Sequence, residues 1–237
     1  MSNGNIVWNS INSNDLGLVI ERVPDLNRPQ RKFQTYEVPG RNGLIIEQQD
    51  AWDNITRKYK IWFSDIDNSN AVYKSKQVSN WLYAVKGYGR LKDSFETDCY
   101  RLAYFNGPLD IENHMLTYGM CEISFICRPE RFTNAGYEWV QNVASINNPT
   151  VYNSKPLIKV EGSGNCNFTI NNQTVRINGL TDYVYIDCDS MNCYRQPNEN
   201  KNSMMVGDFP VIEPGTNTIT QSLGIAALRI RPNFWTL

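Results

Sequence analysis

The stretch EVPGRNGLIIEQQDAWDNITRKYKIWF, Glu37–Phe63, decides how the rest of the chain is read. It opens on Val38-Pro39-Gly40-Arg41-Asn42-Gly43. This is turn chemistry, because Pro fixes φ while Gly and Asn accept positive φ without a steric penalty. It closes on strict alternation: Ile55, Arg57, Tyr59, Ile61 and Phe63 fall on one side, and Thr56, Lys58, Lys60 and Trp62 on the other. A period of two over that length predicts a half-buried strand. Between them Gln48–Asn54 is polar with one aromatic, Trp52, and is expected as a loop long enough to reach a partner. Read this way, the unit builds an assembly surface and not a catalytic site.

The composition excludes several classes. At 237 residues the chain is one large domain or two modest ones, either of which buries a real core. A net charge of -1 and a pI near 5.9 do not mark a binder of nucleic acid or of an anionic membrane. The cations Arg57, Lys58 and Lys60 are accordingly read as the wet face of a strand. No apolar run approaches the ~20 residues of a membrane helix. MSNGNIVWNS lacks the charged and apolar regions of a secretory signal, so none is expected. The six cysteines, at 99, 121, 127, 166, 188 and 193, are then read as free, mostly buried thiols; none forms a CxxC pair.

Outward from the opening stretch, Ile6–Ser10 and Leu16–Arg22 read as short strands, and Pro24 to Pro29 as a break. Ala71–Lys86 is predicted as a helix. Val78, Trp81, Leu82 and Val85 make its one apolar face, Ser69 or Asn70 its cap, and Gly87 its left-handed close. Arg90–Lys92, Cys99–Phe105 and Cys121–Arg128 are expected strands, with Gly107–Gly119 a hairpin arm that contains the one histidine, His114. The Asn- and Ser-rich stretch that follows has no clear period and reads as a crossing between domains. From Pro156 onward, short strands alternate with turns, as in a sandwich. The fold class is mainly β: a sandwich-like domain over 1–132 with one helix, a linker over 133–153, and a second β-sandwich over 154–237.

Catalytic chemistry finds little footing. Any Ser-His-Asp or Cys-His arrangement has to use His114, and no phosphate loop or HExxH is present. Asp187 and Asp189 share a strand face, but two carboxylates are too few for a cation cage. No catalytic, cofactor-binding or metal-binding residue is assigned.

Four stretches, in order along nearly the whole chain, resemble the distal tail protein (Dit) family of long-tailed bacteriophages of Gram-positive bacteria and related prophages. They are the Val38–Gly43 turn, the strand through Tyr59–Phe63 followed by Trp81-Leu82, Cys121–Pro129, and Pro156–Gly162 with Asp187, Phe209-Pro210 and Pro214-Gly215-Thr216-Asn217. Asn42-Gly43 stands where many relatives have Asp-Gly, which changes a charge and not the turn. The resemblance implies a ring-forming N-terminal domain and a galectin-like C-terminal sandwich. It implies hexameric rings, single or stacked, at the tail tip of the virion, around a channel for DNA. Its implied partners are further copies, the tail tube protein, the tape-measure protein and the tail-associated hub or lysin, with no membrane and no specific nucleic acid. Arg41, Asn42, Trp52 and Tyr118 are the expected interface residues, since aromatic and Arg side chains dominate interface energy. The alternative is a carbohydrate-binding accessory module for host-surface adhesion. Galectin sugar sites use a strand His and a stacking Trp, however, and 154–237 holds no His and one Trp, Trp235.

Overall fold

A computed structural model describes residues 4–21, 27–64, 71–109, 111–115 and 118–237, the backbone alone at 63–64, 71–72, 111–115 and 118–119. The chain divides into two compact units, Met1–Arg131 with Leu237, and Phe132–Thr236.

In the first unit the strands are β1 Ile6–Trp8, β2 Ile11–Asn12, β3 Leu18–Ile20, β4 Arg31–Tyr36, β5 Ile45–Trp52 and β6 Ile55–Ser64. After the helix α1, Ala71–Tyr83, come β7 Gly89–Asp93, β8 Cys99–Phe105, β9 Ile111–Met115 and β10 Tyr118–Thr133. The main sheet runs β2-β1-β7-β8-β10-β6-β3, and among the described residues β4 and β5 form a separate two-stranded sheet. The expected alternation sits at its centre: β6 lies antiparallel to β10, from Ser64 opposite Tyr118 to Ile55 opposite Cys127. Ile55, Tyr59 and Ile61 face inward with Ile123, Phe125 and Cys127, and Val78, Trp81 and Leu82 of α1 close over them. Each large apolar side chain buried there contributes ~1.5–3 kcal/mol. The helix stops three residues short of the expected Lys86, and Gly87 turns left-handed at φ 83°. Its expected caps, Ser69 and Asn70, lie outside the described residues. The expected hairpin after Gly107 is present as β9 paired with β10.

Arg57 overturns the wet-face reading. Its side chain is fully buried, whereas Lys58 and Lys60 are exposed. The guanidinium donates to Asp93 at 3.1 Å and Glu96 at 3.4 Å, and Tyr59 donates its hydroxyl to Asp93 at 2.8 Å. Glu96 also accepts from Arg101 at 2.6 Å and Arg131 at 3.2 Å. One carboxylate thus takes guanidinium groups from β6, β8 and β10. Burial alone raises the Glu96 pKa, but Arg101 first, then Arg57 and Arg131, pull it below the usual range.

The second unit contains β11 Val140–Gln141, β12 Ser145–Asn148, β13 Leu157–Gly162, β14 Gly164–Ile170, β15 Gln173–Leu180 and β16 Tyr183–Asp187. β17 Asn192–Tyr194, β18 Met205–Val206, β19 Gly215–Gln221 and β20 Ile225–Arg231 follow. They form two five-stranded sheets, β11-β20-β13-β16-β17 and β12-β19-β14-β15-β18. Ile158, Val160, Val184 and Ile186 of one pack against Phe168, Ile170, Val175 and Ile177 of the other, so the unit is a β-sandwich. The stretch 133–153, expected as a linker, is part of it. β11 pairs with β20 and β12 with β19, as edge strands too short to show a period.

The Pro214-Gly215-Thr216-Asn217 motif acquires a physical reason. Gly215 takes φ 82°. Fully buried Asn217 accepts from the Glu213 amide and from Asn171, and donates to the carbonyls of Glu213, Gly215 and Ile146. One side chain staples the turn to the neighbouring strand.

Asn217→Ala therefore costs ~3 kcal/mol, from buried groups left unmet, whereas exposed Asn172→Ala changes stability by under ~0.5 kcal/mol; urea unfolding measures both. Glu96 yields a pH signature. Its folded pKa lies below the unfolded value of about 4.3, so its contribution is complete above that value and is lost as pH falls through the folded one. Glu96→Gln is the less stable protein at pH 7, and its gap to wild type narrows toward pH 3 in urea titrations.

Candidate functional site: an apolar hairpin arm

The arm is built from the sequence with which the chain was first read. Val38-Pro39-Gly40-Arg41 closes a type II turn: Gly40 takes φ 81° and the Arg41 amide donates to the Val38 carbonyl at 3.1 Å. Gly43 repeats the positive φ at 83°. β4 and β5 descend from that tip in register, Tyr36 opposite Ile45, Thr35 opposite Ile46, Gln34 opposite Glu47 and Phe33 opposite Gln48. The segment expected as a loop at Gln48–Asn54 is thus mostly strand, since β5 runs to Trp52 and only Asp53-Asn54 link it to β6.

Pairing assigns the two faces. Tyr36 and Ile45 share one with Gln34 and Glu47, where the Tyr36 hydroxyl contacts both polar neighbours, at 2.7 and 3.0 Å. Phe33 and Ile46 share the other with Thr35 and Gln48. Every residue from Arg31 to Asp50 is exposed, with Ile46 at 61%, Leu44 at 51% and Phe33 at 50%. A two-stranded hairpin is at best marginally stable alone, and this one carries apolar side chains on both faces with none of them buried. Contiguous apolar exposure of that kind marks an interaction surface.

Of the four expected interface residues, Arg41 and Asn42 sit exposed at the tip. Trp52 lies at the base, half-buried, where the Arg31 guanidinium covers its ring at 5.0 Å and bonds Gln48 at 2.9 Å. Trp52 therefore serves the arm's own packing first. The side chains of Tyr118 and His114 lie outside the described residues. Sequence reasoning missed Phe33, Tyr36, Leu44, Ile45 and Ile46; the signal was an apolar cluster flanking a turn with no polar alternate face.

All six cysteines are free and buried. Burial pushes Cys121 and Cys127 up to about 12 and Cys99 and Cys193 up to about 11, so the thiols stay protonated at neutral pH. Among the described residues no group of three His, Cys, Asp or Glu stands ready for a metal. Asp187, singled out with Asp189, instead accepts the amides of Asp189 and Ser190 at 3.0 and 3.3 Å.

No family model and no curated protein matches the chain. Solved structures do. The SPP1 Dit (gp 19.1) protein, described as a paradigm of the hub adsorption apparatus in Gram-positive infecting phages, is similar over 97% of this chain and 98% of its own, with TM-score 0.70 and 8% identity. A chain of the phage P2 baseplate in its activated conformation with Ca matches 97% of both chains at TM-score 0.59 and 9% identity. The Sr form matches 96% of this chain and 97% of its own, at TM-score 0.56 and 10% identity. From end to end, the chain has the fold of these phage Dit and baseplate proteins.

Proposed function

We propose that the chain is a structural, non-catalytic subunit of a phage tail tip, and that copies of it associate through the arm. The carrying observation is the β4–β5 hairpin, whose two apolar faces are exposed and have no cover among the described residues of their own unit. A surface that must be buried on both sides is satisfied when each copy inserts its arm against the next. Head-to-tail contact of that kind closes into a ring if the rotation completes a circle. Six copies around a channel is the number the family likeness implies, and the full-length fold match supports that reading. The ring then joins the tail tube to the hub, with the tape-measure protein and DNA on its axis. The work is geometric: the frame holds the arm, and the arm sets the angle between neighbours.

Light scattering of the purified chain is expected to give a mass several-fold above 27.3 kDa. Ile46→Lys combined with Phe33→Ser strips one arm face and weakens association at least tenfold, each lost burial being worth ~1.5–3 kcal/mol, while the melting temperature of the dilute chain is kept. A wild-type chain that stays monomeric at high concentration overturns the proposal. So does an arm variant that assembles as well as wild type.

A further inference from the structure

The outward face of the sheet β11-β20-β13-β16-β17 is composed unlike the rest of the second unit. Arg229, Lys159, Tyr185 and Tyr194 align in one row across four strands. Glu161 and Tyr183 lie beside it on one flank, and Arg231 and Asp187 on the other. The rings and cations are locked together. Lys159 sits 4.6 Å from the Tyr183 ring and 5.7 Å from that of Tyr185, and Arg195 lies 5.7 Å from Tyr183. Tyr185 stacks on Tyr194 at 5.5 Å, and Arg231 lies 4.3 Å from Tyr137 and 4.6 Å from Trp139.

Charge on this face is unbalanced. Four cations, Lys159, Arg195, Arg229 and Arg231, meet two carboxylates, Glu161 and Asp187, on a chain whose net charge is -1. Glu161 is held by Lys159 at 2.6 Å with Arg229 at 3.7 Å, and Asp187 caps backbone amides. Glu199, whose carboxyl feels Arg195, is paired with Lys201 at 2.7 Å. Arg195 donates only to the Tyr183 carbonyl and the Thr181 hydroxyl, and among the described residues neither it nor Arg231 has a carboxylate within ion-pair distance. A guanidinium stacked on an aromatic ring is pre-organised, and its in-plane N–H edge matches a carboxylate.

The same stacking favours an anion over a sugar: cations or a second ring already lie against Tyr183, Tyr185 and Trp139, and Trp235 is stacked on Tyr152 at 4.3 Å. Five strands span ~20 Å across at ~4.8 Å each, and the longest, β20, runs ~23 Å at ~3.3 Å per residue, so the flat face offers roughly 450 Å², short of the ~800 Å² per partner of a globular interface. An extended segment fits.

We propose that this face docks an extended segment of a partner protein bearing closely spaced carboxylates. The proposal is independent of the arm. Its test is fluorescence anisotropy of the full chain with a fluorescein-labelled peptide of alternating Glu and Ala, beside a Gln-Ala peptide of equal length. Expected is saturable binding of the Glu peptide alone, weakened as salt shortens the screening length. Arg195→Gln and Arg231→Lys each weaken it about tenfold, the scale of one charge-assisted hydrogen bond, with unchanged melting temperatures. Lys60→Gln, in the other unit, leaves it intact. Equal binding of the Gln peptide, no binding of either, or full affinity in both Arg variants overturns the proposal. Displacement of the peptide by a neutral oligosaccharide also overturns it, in favour of a glycan site.

Discussion

The first unit depends on the carboxylate of Glu96 being held by three guanidinium groups. Arg57, Arg101 and Arg131 come from three different strands, and Arg57 reaches Glu96 from among the core side chains Ile55, Tyr59 and Phe125. Asp93 completes the set by taking Arg57 and the Tyr59 hydroxyl on one oxygen and the Phe95 and Glu96 amides on the other. A buried ionic cluster of this kind adds little net stability over well-packed apolar residues, yet removing one member strands the others at a cost of several kcal/mol. The cluster ties β6, β8 and β10 to one carboxylate, and only an arrangement that brings all three guanidinium groups there satisfies it. β6 is one of the strands so tied, and β6 is where the arm is rooted.

This gives the molecule a division of labour. The second unit is a conventional sandwich whose interior is apolar from sheet to sheet, with the Asn217 staple at one turn. Its distinctive chemistry lies on the outside, in stacked tyrosines and arginines. The first unit inverts the pattern: it is charged at a buried position and apolar on the exposed hairpin.

How far the sequence could be read follows from where burial is one-sided. β6 alternates because one face is dry and the other wet, so Ile55–Phe63 was legible at sight. The helix was legible through Val78, Trp81 and Leu82 for the same reason, and the Pro39-Gly40 turn because its backbone angles require those residues. β5 was not: a hairpin with no dry face has no cause to alternate, and Leu44-Ile45-Ile46 followed by Glu47-Gln48-Gln49-Asp50 reads as the tail of a turn and a loop. Arg57 was misread as wet because its partners, Asp93 and Glu96, lie 36 and 39 residues onward. β11 and β12 escaped notice as two- and four-residue edge strands within Asn-rich chain. The ordered short motifs nonetheless led to the fold that the solved structures share with this chain at 8% identity.

The arm carries a thermodynamic implication of its own. If, as proposed, the hairpin gains its dry surroundings from a neighbouring copy, its ordering is completed at the moment of contact and consumes part of the affinity. Joining copies one by one is then reluctant, whereas the last copy to enter a closed circle satisfies two sets of contacts at once. Such a subunit tends to be found either single or fully assembled, with few arcs in between.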